Sequence, residues 1–320
     1  MGERGERGSL TRLGLYGVAL VVVFAGSLGF GRLVGDPADP QAAGVSADGD
    51  AGSGHDSGHG SDSAPAGLLV SDRGYRLVPQ TRALAVGTPT EFRFTIVGPD
   101  GEPVTRYTPT HERELHLMVV RRDLSGFQHL HPALGADGTW VQRLTVTRAG
   151  QYRVFADFRP AALDTALTLG VDVPAAGDYQ PVPLPAPTPA ADVGRYRVDL
   201  VGDLVAGTAS RLSLWITRDG VPVTDLQPYL GAFGHLVALR DGDLAYLHVH
   251  PDTAATGDRV VAGPELTFHA EVPAAGIYRL YLDFKHSGVV HTAEFTAAAA
   301  AGPAGGEHTG QPDGHQHEHD

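Results

Sequence analysis

The chain has no cysteine among its 320 residues. That excludes disulfides, thiolate nucleophiles, cysteine-ligated zinc and the His₂Cys blue-copper site. Methionine occurs only at Met1 and Met118, which removes a methionine-rich Cu(I) site as well. Basic residues are also short: 24 Lys and Arg against 37 Asp and Glu give a formal charge of −13. A surface of that sign repels nucleic acid and attracts cations. No Ser-His-Asp arrangement, no phosphate-binding loop and no general-base Glu at a useful spacing stands out, so the expectation is a protein that is not an enzyme. Helical periodicity is missing after the first 33 residues.

Histidine is abundant, with 16 copies, and it is clustered. One pattern occurs twice. His116-Leu117-Met118-Val119-Val120 runs on to His129-Leu130-His131-Pro132, and His235-Leu236-Val237-Ala238-Leu239 runs on to His248-Val249-His250-Pro251. In each copy the second and third histidines follow the first by 13 and 15 positions. Apolar, β-branched runs on either side of Asp241-Gly242 read as a hairpin, because Asp-Gly tolerates the positive φ angles of a two-residue type I′ turn. That turn places His235 directly opposite His248, with His250 diagonal to it on the same face. The first copy turns at Arg122 to Gly126, and the equal spacing predicts the same arrangement of His116, His129 and His131. Three converging imidazoles suit Zn²⁺, Cu²⁺ or Ni²⁺. His235 shares its face with Val237 and Leu239, so this face is expected to be the core side. The competing reading is a set of core histidines that are simply hydrogen-bonded.

Residues 13–33 are expected to form a transmembrane anchor. They contain an uncharged run from Leu13 to Gly31, with Arg4, Arg7 and Arg12 before it and acidic residues after it. About 19 apolar residues suffice to cross a bilayer, and the flanking charges put residues 1–12 in the cytoplasm and the remainder outside. Secretion after cleavage of a signal peptide is the alternative. Residues 34–68, rich in Gly, Ser, Ala and Asp and holding His55 and His59, read as a flexible stalk.

Residues 69–174 show short strands separated by turns such as Gly98-Pro99-Asp100-Gly101 and Asp137-Gly138, which indicates a β-sandwich. Residues 175–194, with five prolines at alternate positions from Pro181 to Pro189, read as an extended linker. Residues 195–298 repeat the plan: Asp100-Gly101-Glu102-Pro103-Val104-Thr105 returns as Asp219-Gly220-Val221-Pro222-Val223-Thr224, and Ala149-Gly150-Gln151-Tyr152-Arg153 as Ala275-Gly276-Ile277-Tyr278-Arg279. The fold class is therefore all-β, two tandem sandwiches after an N-terminal transmembrane helix.

The second copy adds His286 and His291 beside Ser287-Gly288, placed to supply a fourth ligand or a rim site. Asp157 and Asp283 alternate with apolar residues and read as surface carboxylates paired with Arg153 or Arg279. His269 alternates with Phe268 and is expected to face solvent. Residues 299–320 end in His315-Gln316-His317-Glu318-His319-Asp320, an unselective trap for divalent metal ions.

The duplicated His-Leu…His-Leu-His-Pro pattern in a chain rich in Ala, Gly, Arg and Val resembles exported, His-rich actinobacterial proteins and, more distantly, YtkA-like modules. That resemblance implies immunoglobulin- or cupredoxin-like domains engaged in copper or other heavy-metal handling. The functional expectation is an extracytoplasmic protein for copper or zinc capture or homeostasis, whose partners are metal ions and the membrane. The alternatives are a structural or interaction ectodomain and, less favoured, a zinc or copper metalloenzyme.

Overall fold

The computed structural model describes residues 64–251 and 262–302; the side chains of His248 and His250 lie outside what it describes. The anchor at 13–33, most of the stalk, and the tail histidines His315, His317 and His319 also fall outside the described residues. Among the described residues no helix is long and apolar enough to cross a membrane, and regular structure is all strand.

Repeat 1 contains β1 Ser71–Asp72, β2 Tyr75–Pro79, β3 Thr90–Val97, β4 Leu115–Arg121, β5 Gln128–Leu130, β6 Ala133–Leu134, β7 Thr139–Leu144, β8 Gly150–Phe158 and β9 Leu167–Ala175. They form two sheets, β1-β2-β3-β7-β6 and β5-β4-β8-β9. Phe92, Phe94, Ile96 and Trp140 from the first sheet pack against Leu117, Val119, Val154 and Phe158 from the second. Alternate residues along each strand supply this core, as the pleat requires.

Repeat 2 contains β10 Ala190–Val193, β11 Tyr196–Val201, β12 Leu204–Val205, β13 Ala209–Arg218, β14 Val221–Pro222, β15 Gly234–Arg240, β16 Tyr246–Pro251, β17 Glu265–Glu271, β18 Gly276–His286 and β19 Val289–Ala300. Its two layers are joined, because β16 pairs with β15 through Leu236↔Val249 and with β17 through His250↔His269. Leu212, Leu214, Ile216 and Phe268 face Leu236, Ala238, Leu282 and Phe295 in its core.

Both repeats belong to one compact unit. Strands β4 and β15 are buried on both faces. Leu117 and Val119, like Leu236 and Ala238, point into their own sandwich cores, whereas Met118, Val120, Val237 and Leu239 form a third cluster with Phe155, Tyr246 and Tyr281. This third cluster joins the repeats. The histidine face expected to line the sandwich core is therefore buried against the other repeat instead. Its aromatic contacts occur in matched pairs: Phe127 stacks on Tyr281 at 3.9 Å, and their repeat counterparts Tyr246 and Phe155 lie 5.5 Å apart. The docking thus has a local pseudo-twofold character. Full burial of Phe155, Tyr246 and Tyr281 contributes about 1.5–3 kcal/mol each relative to exposure.

The end of the stalk, expected to be flexible, and the linker, expected to be extended, are both tied down. At the end of the stalk, Gly67 N–H donates to Thr168 O (2.9 Å), Tyr246 N–H donates to Ala66 O (3.0 Å), and Arg153 Nη2 donates to Leu68 O (2.8 Å). Gly67 has φ +75°, and a Cβ there would lie 2.6 Å from Phe155 Cδ1, so close approach as well as backbone conformation requires glycine. The proline-rich linker is also anchored. Buried Arg121 donates to Ala149 O, Asp123 Oδ2 and Gln180 O, and Asp123 Oδ2 also accepts from Val182 N–H. Leu184 of the linker packs on the cluster between the repeats.

Candidate metal centre

The hairpin register corrects the expected pairing. The connection between β15 and β16 spans Asp241 to Ala245, not the two-residue Asp241-Gly242 turn, and Asp243 closes it by accepting from Ala245 N–H and from Arg240. The pairing is consequently shifted by two residues, and Val237, not His235, lies opposite His248. A shift of two preserves the face of every side chain. Repeat 1 has the equivalent register, with Met118 opposite His129.

Strand β4, strand β5 and the residue that follows β5 bring His116, His129 and His131 together, each offering a ligand nitrogen within 4.8 Å of the others. Their ring centroids lie 4.9–5.3 Å apart. His116 is 1% exposed. Its Nε2 is 3.0 Å from Thr110 O, and its Nδ1 is 3.0 Å from His129 Nε2. The other nitrogen of His129, Nδ1, lies 2.9 Å from Asp283 Oδ2, a residue of repeat 2.

A carbonyl only accepts, so His116 Nε2 carries a proton and Nδ1 a lone pair. The Asp283 carboxylate likewise only accepts, so His129 Nδ1 carries a proton. With both rings neutral, two lone pairs then face each other across 3.0 Å. Such a contact requires an additional proton, held on the rings as an imidazolium or on Asp283 as a carboxylic acid that donates to His129 Nδ1, or a metal ion bridging the two nitrogens. Outer partners that fix ligand tautomers in this way, a carbonyl for one histidine and a carboxylate for the next, are what metal-bound histidines use.

His131 completes the set. Its Nε2 is buried and has no hydrogen-bond partner. Burial, followed by the neighbouring His129 and His116, pushes its pKa down to about 3, so its imidazole is neutral throughout the physiological range. Nitrogens 3.0 Å apart subtend roughly a right angle at an ion about 2.0–2.1 Å from each, and a tetrahedral ion needs donor separations of about 3.3 Å.

The carboxylates are not surface groups. Asp283 is 3% exposed and Asp157 5%. Asp283 also accepts from Thr292 Oγ1 (2.6 Å), and Asp157 accepts from Tyr246 Oη (3.4 Å). Arg153 and Arg279 turn elsewhere, to the stalk carbonyls and Asp172 and to Glu294 and Thr296 respectively. Asp283 lies opposite His235 in the register and Asp157 opposite His116, so each faces the interface with the histidines, where Asp283 bonds His129 and Asp157 bonds Tyr246.

Repeat 2 brings His235 to the same interface. Its Nε2 is 2.7 Å from Tyr229 O, the counterpart of the His116–Thr110 contact with the same six-residue separation. Its ring lies 6.3 Å from that of His129. His248 and His250 are placed on β16 by backbone only. His286 and His291 do not join this group, because they occupy the opposite face of β18 and β19. His286 bonds to Tyr196 Oη (2.7 Å) and Asp225 Oδ1 (3.0 Å), while His291 packs against Tyr196 and Phe284. His269 is exposed.

One residue of the cluster was not singled out by the sequence pattern. His111 lies in the turn Thr110–Arg113, with ring centroids 5.4 Å from His235 and 6.1 Å from His116. Its φ is +49° and that of Glu112 is +62°, a conformation costing non-glycine residues on the order of 1–3 kcal/mol. The only signal in the sequence is a histidine in a polar turn five residues before His116.

These features define a class: tandem β-sandwiches docked through a buried histidine-carboxylate cluster. The chain belongs to the family described as a domain of unknown function, DUF8832, whose pattern matches twice, over residues 70–179 and 191–301. No curated protein matches the sequence. Solved structures with some likeness include the Escherichia coli adhesin FdeC, at TM-score 0.24 and 14% identity over 72% of this chain and 65% of that one. Invasin, a bacterial integrin-binding protein, gives 0.20 and 14% over 70% and 39%, and a putative membrane-anchored protein from Corynebacterium diphtheriae gives 0.22 and 12% over 73% and 60%. The chain thus spans less than two thirds of the length of each. At this level of likeness they bear on no ligand, partner or activity.

Proposed function

We propose that this protein captures a divalent transition metal, copper or zinc, outside the cytoplasm, using His116, His129 and His131 as ligands, with the N-terminal segment as its membrane anchor. The observation that carries the reading is the pair of nitrogens, His116 Nδ1 and His129 Nε2, 3.0 Å apart with their outer nitrogens already committed, beside the unpartnered Nε2 of His131. Thr110 and Asp283 would orient the ligands and raise their basicity. His-rich ends would collect ions and deliver them at raised local concentration.

The competing reading is an interaction ectodomain whose histidines are only hydrogen-bonded, and the partners already held by His116 and His235 favour it. Titration of the full chain and its His131→Ala variant with Zn²⁺ and Cu²⁺ separates the two. Both proteins retain the same His-rich ends, so loss of one tight equivalent in the variant reports the folded site. Identical isotherms would discard the metal reading.

A further inference from the structure

We propose that the interface holds a two-ion centre, in which a second divalent ion sits against His235 and His111, next to the ion bound by His116, His129 and His131. This inference rests on the metal reading above and adds the second ion.

Its first support is that the parts surrounding the first ion recur across the pseudo-twofold contact. Tyr229 O holds Nε2 of His235 at 2.7 Å as Thr110 O holds Nε2 of His116 at 3.0 Å. Both rings are thereby fixed in the tautomer whose Nδ1 carries the lone pair. Asp157 on β8 corresponds to Asp283 on β18 and is similarly buried, opposite His116 as Asp283 is opposite His235. The register of β16 on β15 also reproduces that of β5 on β4, which puts position 248 where 129 stands. In the first set the carboxylate comes from the other repeat, since Asp283 bonds His129.

The second support is His111. The two turns that carry the holding carbonyls are equivalent, and both take left-handed backbone at their central residues: His111 and Glu112 in repeat 1, Leu230 and Gly231 in repeat 2. The duplicated plan does not need histidine at this tip, because its counterpart is leucine. Where it occurs it places an imidazole between the two sets, 5.4 Å from His235 and 6.1 Å from His116 between centroids. His129 and His235 approach to 6.3 Å, so ions bound on the two sets would be near neighbours.

The test uses the full chain with His55, His59, His308, His315, His317 and His319 replaced by alanine, which removes binding by the ends. Cu²⁺ is added stepwise and followed by electron paramagnetic resonance. The first equivalent should give an isolated Cu²⁺ signal of full intensity. The second should lower the integrated intensity per ion and produce the half-field transition of a coupled pair. His111→Gly, which relieves the left-handed strain and so keeps the turn folded, should weaken the second equivalent about 10–100-fold and leave the first unchanged. A second equivalent that merely adds isolated signal, or a His111→Gly protein that binds both ions as before, overturns the two-ion centre. Failure to bind even the first equivalent overturns the metal reading itself.

Discussion

His131→Ala distinguishes a ligand from a packing residue, because in this fold the side chain makes no hydrogen bond through its buried Nε2. An unsatisfied buried polar atom costs about 1–3 kcal/mol, and truncation returns that cost while losing imidazole packing of similar size. The metal-free variant should therefore be within about 1 kcal/mol of the parent. The difference should emerge with metal. At a free ion concentration about 100 times the parent Kd, the parent gains about 2.7 kcal/mol, which corresponds to a rise in Tm of about 5–11 °C for a folded unit of this size. If losing one ligand weakens binding about 100-fold, the variant gains only about 0.4 kcal/mol, or about 1–2 °C. Binding at the ends that is equal in folded and unfolded chains shifts neither Tm. Thermal denaturation of both proteins with and without Zn²⁺ measures all four values. Equal metal-induced shifts, or a metal-free variant several kcal/mol less stable, would refute the reasoning.

Asp123→Ala leaves the buried Arg121 guanidinium without its carboxylate and releases Val182 of the linker; chemical denaturation should show a loss of about 3–5 kcal/mol. Gly67→Ala forces a side chain into Phe155 from a left-handed backbone, and a loss of at least about 1–3 kcal/mol should be seen in the same assay. Metal-free stability should fall as the pH drops from about 6.5 towards 3, since the folded pKa of His131 is depressed to about 3 and the unfolded chain takes up the proton first. The slope from this group is at most about 1.4 kcal/mol per pH unit, and His131→Ala should remove it; an unchanged slope in denaturation curves across that range would count against its burial.

The sequence carried much of this structure. Strand-length apolar runs and Asp-Gly or Gly-Pro turns announced an all-β chain, and the 13- and 15-residue histidine spacings announced three imidazoles on one face. The face survived a wrong turn assignment because side-chain direction repeats every two residues, so the extra residues around Asp243 moved the pairing without flipping it. Which body buried that face was not legible. His116-Leu117-Met118-Val119-Val120 reads as one continuous apolar run because both its faces are covered, one by the sandwich and one by the other repeat, and a run of that kind does not say what covers it. Asp283 was misread for the same reason: beside Arg279 in sequence it looks like half of a surface ion pair, yet its partner His129 lies 154 positions away. His111 carried no periodic signal, since its role comes from a turn conformation and from a repeat that meets it only in the fold.

The most direct test of the metal centre is anomalous diffraction from crystals of the full chain grown with Zn²⁺ or Cu²⁺. The account predicts a strong peak bounded by His116 Nδ1, His129 Nε2 and His131 Nε2, about 2.0–2.1 Å from each nitrogen, with His129 still bonded to Asp283. A cluster with no anomalous density, its histidines unchanged under metal saturation, would contradict it.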